Sequence, residues 1–84
     1  MGLFGSKDAK DLIHHAMALM ENSQPKAAAV LFSKILKSDP KNTIALFNRG
    51  LALNQIKKYS DAVTCFDKLL EINPNDVKAI NNKG

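Results

Sequence analysis

Residues 46–74 read LFNRGLALNQIKKYSDAVTCFDKLLEINP. The stretch arranges large apolar, small and helix-ending residues in a definite order, and the positions that define it are Leu46, Gly50, Leu53, Ala62, Phe66 and Pro74. Each of these residue types is common, so one position alone is weak evidence. Recurrence of the whole order is much stronger evidence, because a fixed period of roughly 20–50 residues is typical of repeat architectures.

The same order recurs 34 residues earlier, at Leu12, Ala16, Leu19, Ala28, Phe32 and Pro40. It begins again after Pro74, where Ile80 and Gly84 take the positions of Leu46 and Gly50. Helix-start signals share the period, since Asp8, Asn42 and Asp76 each precede an apolar periodic run. Asp and Asn are residue types favoured at helix N-caps. The chain is therefore predicted to repeat one unit.

This ordering resembles the tetratricopeptide repeat, a helix–turn–helix unit of about 34 residues, with Leu46 and Leu53 in the two aromatic positions of the family pattern. The resemblance covers residues 9–84. It implies an all-α fold, a short right-handed α-solenoid of about five helices with the last one short. The predicted helices run from Ala9 to about Asn22, from Pro25 to about Ser38, from Thr43 to Ile56 and from Tyr59 to Ile72.

The predicted units are an N-terminal arm at residues 1–8, a first repeat at 9–42, a second repeat at 43–76, and the truncated first helix of a third repeat at 77–84. Stacked repeats cover the apolar faces of their neighbours. We therefore expect the chain either to be part of a longer array or to have its open end covered by another copy, as a homodimer. The candidates for such self-association are Phe66, Leu69, Leu70, Ile72, Val77 and Ile80.

Composition favours a single folded domain of 84 residues, 45% of them apolar. Cys65 is the only cysteine, which excludes an internal disulfide and predicts a reducing, cytoplasmic setting. No apolar run approaches the roughly 18 residues of a membrane span, and a secretory signal is not expected. Gly2 and Ser6 fit an N-myristoylation pattern, although a flexible arm is the preferred interpretation.

The net charge of +4 could indicate an acidic partner or nucleic acid. Lysines are interleaved with acidic residues over the second helices and the turns, however, and Arg49 is the single arginine. A solvated convex surface is the preferred interpretation, and we expect neither a nucleic-acid nor a membrane partner.

Three possible chemical roles, namely metal binding, a reactive thiol and catalysis, are less favoured by the sequence than purely structural roles. His14 and His15 are adjacent, so they point about 100° apart on a helix and cannot readily chelate one metal ion. Cys65 lies mid-helix and is interpreted as a small apolar filler rather than a nucleophile. No catalytic constellation or phosphate-binding loop is present, so we expect neither an enzyme nor a cofactor.

The resemblance implies a non-catalytic scaffold that binds a peptide or protein segment in a concave groove lined by the first helices. The groove candidates are Ile13, His14, Met17, Met20, Phe47, Asn48, Leu51, Gln55, Lys78 and Asn82. The alternative for the apolar members is that they are simply helix-packing residues.

One subclass of the family grips the C-terminal carboxylate of chaperone tails with a clamp of five polar residues. Asn48 and Lys78 match that clamp, but Ile13, Met17 and Asn82 replace its other members. This partner class is therefore not expected, whereas Asn48 can still hydrogen-bond the backbone of an extended ligand.

Overall fold

A computed structural model describes residues 9–76 and 79–81, all of them in helices or in the connections between helices. The helices are α1 (Ala9–Glu21), α2 (Pro25–Ser38), α3 (Thr43–Gln55) and α4 (Tyr59–Ile72). Residues 79–81 are also helical. The predicted all-α fold is confirmed, and the predicted ends of α1 and α3 are each one residue too long.

The turns inside the two helix pairs are built in the same way. Ser23 and Lys57 have positive φ angles, 61° and 66°. The next N–H in each turn donates to a carbonyl five positions back, as Gln24 does to Leu19 and Lys58 to Leu53, both at 2.8 Å. A left-handed residue followed by this hydrogen bond is a standard helix termination. The 34-residue period is therefore visible in backbone hydrogen bonds as well as in side chains.

Side-chain caps begin the helices that follow each pair. The Ala45 N–H donates to Asn42 Oδ1 at 2.9 Å, and the Ala79 N–H donates to Asp76 Oδ1 at 3.0 Å. Each cap satisfies a backbone donor that the first turn of a helix leaves without a partner. Asn42 and Asp76 thus act as predicted, while Asp8 lies outside the described residues.

The core consists of two clusters, each centred on a fully buried phenylalanine, Phe32 or Phe66. Ala16 and Ala28 lie in the Phe32 cluster, and Ala62 lies in the Phe66 cluster. Small residues are needed where a ring fills the space between two helices. Two partly buried residues, Met20 and Leu36, pack against both clusters and join them.

The central helix is α3, which packs on α2 and α4 and also contacts α1. Two surfaces follow from this arrangement. The first-helix face consists of the exposed sides of α1 and α3. The second-helix face consists of the exposed sides of α2 and α4, with α3 between them.

Candidate functional site

The first-helix face begins on α1 with the predicted groove residues of the first unit. His14 is exposed, Ile13 is half-buried, and Met17 keeps 39% of its surface exposed. Met20 is half-buried and packs against both core clusters, so it contributes mainly to packing. Apart from Met20, these side chains reach solvent on the face where the groove is predicted.

On α3 the predicted residues Phe47, Asn48 and Leu51 are half-buried, and Gln55 is exposed. Ile44 is 52% exposed and lies one helical turn before Asn48, so it belongs to the same stripe, although sequence reasoning did not select it. Its apolar character made it look like one more packing residue. The candidates Lys78 and Asn82 lie outside the residues whose side chains are described.

Asn48 supplies the polar group of this stripe. Its Nδ2 donates to the Ile44 carbonyl at 2.9 Å, a bond within the same helix. That bond engages one hydrogen of Nδ2, whereas the Oδ1 atom of the amide is an acceptor. A backbone N–H of a bound segment is a suitable donor for it.

Phe47 belongs partly to the core. Its ring meets the Phe66 ring edge-on, with centroids 6.0 Å apart and an interplanar angle of 62°. Such T-shaped pairs add about 0.5–1.5 kcal/mol beyond the area that they bury. One side of the Phe47 ring is therefore a helix-packing surface.

The second-helix face contains a polar bridge centred on Arg49. The Arg49 Nε donates to Ser33 Oγ at 2.9 Å, and Nη1 donates to Cys65 Sγ at 3.1 Å. Arg49 thus links α2 to α4 across α3. Beside it is a cavity of about 240 Å³, bordered also by Lys37 and Lys68.

Two further cavities lie on the same side of the molecule. One, of about 530 Å³, is lined by residues such as Pro25, Val30 and Ile56. The other, of about 240 Å³, is shared by Arg49, Lys58 and Asp61. None of these three cavities is lined by the groove candidates whose side chains are described.

The family model of the tetratricopeptide repeat matches residues 43–76. The solved structure titled "MamA RS-1 ArsTM double mutant" superposes with a TM-score of 0.84 at 27% identity, over 89% of this chain and 42% of that chain. The segment at residues 43–76 is thus a member of the tetratricopeptide-repeat family. The chain spans less than half the length of that solved relative. No curated protein gives a significant match to the chain.

The predicted self-association surface needs correction. Phe66 and Leu69 are buried, with 0% and 1% of their surfaces exposed, because the Phe66 cluster closes over them with Ala79 included. The prediction that the open end exposes these two residues is therefore wrong. Leu70 is half-buried, Ile72 and Ile80 are 40% and 48% exposed, and Val77 lies outside the described residues.

The residues that could indicate a metal site, a reactive thiol or a membrane attachment are placed as follows. His14 and His15 are both exposed, and no cluster of three or more metal-ligating side chains occurs in the described part of the chain. Cys65 is buried, as a packing residue should be, but it also accepts a hydrogen bond from Arg49. Over the same part, no helix combines the length and the apolar character that a membrane crossing requires. Gly2 lies outside the described residues.

The Arg49 bridge is the feature that sequence reasoning missed. Its three members, Ser33, Arg49 and Cys65, are spaced 16 residues apart and come from three successive helices. One signal was available, since Arg49 lies three residues after Leu46 and four before Leu53, on the side of α3 that carries those buried leucines. A single arginine on a core-facing stripe indicates a side chain with a specific partner.

Proposed function

We propose that this chain binds a segment of a partner protein across the first-helix face. Tetratricopeptide repeats generally mediate protein–protein interaction, and they are typically non-catalytic scaffolds. The observation that carries the proposal is the exposure of two large apolar side chains, Met17 at 39% and Ile44 at 52%, on adjoining first helices. Burying such a side chain completely contributes about 1.5–3 kcal/mol, so a partner that covers them gains a useful part of its binding energy.

The chemistry of the face favours an apolar segment. The described groove candidates on α1 and α3 are mostly apolar and include no acidic or lysine side chain, although Lys10, Asp11 and Glu21 are exposed elsewhere on α1. Ile13 and Met17 offer no charge to an acidic tail, which argues against the carboxylate-clamp partners of the family. A partner strand with apolar side chains and a free backbone N–H fits both the apolar stripe and Asn48.

The proposal is tested with peptides selected from a random display library on the 84-residue chain. Ile44→Asp is expected to weaken the selected peptides at least about tenfold, because it places a charge where an apolar side chain of the ligand packs. Fluorescence polarisation with labelled peptides gives the dissociation constants.

Val30→Asp is the matched control, since Val30 is 56% exposed and lies on α2. It should leave the affinity of the selected peptides within about twofold, as expected for a change away from the contact. If the peptides lose affinity for the Val30→Asp variant and keep it for the Ile44→Asp variant, the binding surface lies on the second-helix face and the proposal is contradicted.

Self-association is a second candidate function, favoured by the exposure of Ile72 and Ile80 near the end of the second repeat. Sedimentation velocity at tens of micromolar should then show a dimer. Ile80→Asp should shift it to monomer, while Val30→Asp should not. A monomer at every concentration for the unaltered chain, or a dimer that resists Ile80→Asp, would refute this candidate.

A further inference from the structure

We propose that the cavity beside Arg49 on the second-helix face binds a tetrahedral oxyanion of the phosphate class, either free phosphate or a phosphate monoester. This site is separate from the first-helix face, and it does not depend on the function proposed above. Three cationic side chains border the cavity, Lys37 from α2, Arg49 from α3 and Lys68 from α4. No acidic side chain is among its described lining residues.

The guanidinium of Arg49 is charged, and the Asp61 carboxylate lines only the neighbouring cavity that Arg49 also borders. Arg49 is half-buried, and the two groups to which it donates, the Ser33 hydroxyl and the Cys65 sulfur, are both neutral. Among the described residues, no ion pair links Arg49 to a carboxylate. Holding a partly desolvated charge without a counter-charge is unfavourable, so an anion that reaches this group is bound more strongly than it would be at an exposed arginine.

The remaining donors converge on the same cavity. Ser33 Oγ accepts from Arg49, so its own hydroxyl hydrogen remains available to a ligand. Lys37 and Lys68 are exposed and reach the cavity from opposite sides, on helices that flank α3. Thr64 also borders the cavity, but its hydroxyl donates to the Ser60 carbonyl at 3.2 Å and is therefore engaged within α4.

This donor arrangement favours a tetrahedral dianion over a planar carboxylate. Donors come from three helices, and a phosphate group presents oxygen atoms in several directions, whereas a carboxylate presents two in one plane. Arginine supplies a fixed fork of N–H groups, and lysines act as point charges that suit phosphate. A cavity of about 240 Å³ has room for the phosphate group of either ligand.

The test is a titration of the isotope-labelled 84-residue chain, followed by NMR at constant ionic strength, with inorganic phosphate, phenyl phosphate and acetate as separate ligands. Inorganic phosphate should produce saturable shifts at the Arg49 side-chain Nε–H and at the backbone amides of Ser33 and Lys68. Saturation by phenyl phosphate at the same resonances indicates a monoester site, and its failure there restricts the site to free phosphate. Acetate should bind more weakly than both.

The variant Lys37→Gln with Lys68→Gln should weaken phosphate binding about tenfold, because it removes two of the three charges at the cavity. The matched control is Lys10→Gln with Lys34→Gln, which lowers the net charge equally at exposed positions outside all three cavities. Thermal melting followed by circular dichroism checks that both variants are folded. The proposal is overturned if both variants lose affinity equally, if acetate binds as tightly as phosphate, or if the Arg49 resonance does not move.

Discussion

Replacement of Phe66 by alanine is expected to lower the free energy of unfolding by about 3–5 kcal/mol, the usual loss for a buried aromatic ring. The Phe66 ring is fully buried at the centre of its cluster, and the edge of the Phe47 ring packs on it. Its removal takes away the ring's own burial and also one side of the packing of Phe47. Domains have total stabilities of only about 5–15 kcal/mol, so the variant should be largely unfolded in mild denaturant.

Urea denaturation followed by circular dichroism measures this loss. Tyr59→Ala is the matched control, since Tyr59 is an aromatic residue of the same helix and is 58% exposed. It should change the stability by no more than about 0.5 kcal/mol. Phe66→Leu provides a milder variant, expected to lose about 1.5 kcal/mol, if the alanine variant does not fold. Similar denaturation midpoints for Phe66→Leu and Tyr59→Ala would contradict the central place given to this ring.

Replacement of Gly50 by valine is expected to destabilise the chain by about 3 kcal/mol, at the upper end of what overpacking a core produces. A Cβ at position 50 would lie 2.5 Å from Phe66 Cζ and 2.7 Å from Cε1, closer than non-bonded carbon atoms approach. The ring cannot move aside easily because it is fully buried. Gly50→Ala should show the same conflict in milder form, offset by the roughly 1 kcal/mol that alanine gains over glycine within a helix.

A double-mutant cycle identifies the cause of this destabilisation. The conflicting atoms are the outermost atoms of the Phe66 ring, and leucine has no atoms at those positions. Gly50→Ala combined with Phe66→Leu should therefore lose less stability than the sum of the two single variants, with a coupling of at least about 0.5 kcal/mol. Additive losses in chemical denaturation would mean that Gly50 is required for some reason other than the approach of Phe66.

The sequence was sufficient to predict the helices because each local signal agrees with the repeat. Pro25 begins α2, Asn42 caps α3, and Phe32 and Phe66 fall on buried positions. Agreement between local preferences and the overall fold is what makes such a pattern readable. Because the period is fixed at 34 residues, a role predicted for a residue in one unit is also predicted for the equivalent residue in the other.

Contacts between units were harder to predict. The sequence predicts exposure of Phe66 and Leu69 because few residues follow Pro74 to cover them. Ala79 is nevertheless fully buried in the same cluster, so this short segment contributes to the cover of both side chains. The Arg49 bridge was missed because its partners are 16 residues away on either side and do not follow the 34-residue period. In the first unit, His15 occupies the position that corresponds to Arg49, so the repeat pattern does not mark this position as an arginine site.

The packing of α3 on α2, α4 and α1 has a further consequence for how the chain reaches its fold. In the described part of the chain, each main helix contact joins neighbours, or next neighbours, in the order of the chain. Such local connectivity shortens the loops that must close before contacts form, which is typical of fast folding. Evolution can therefore duplicate or delete one helix pair without rethreading the rest of the chain.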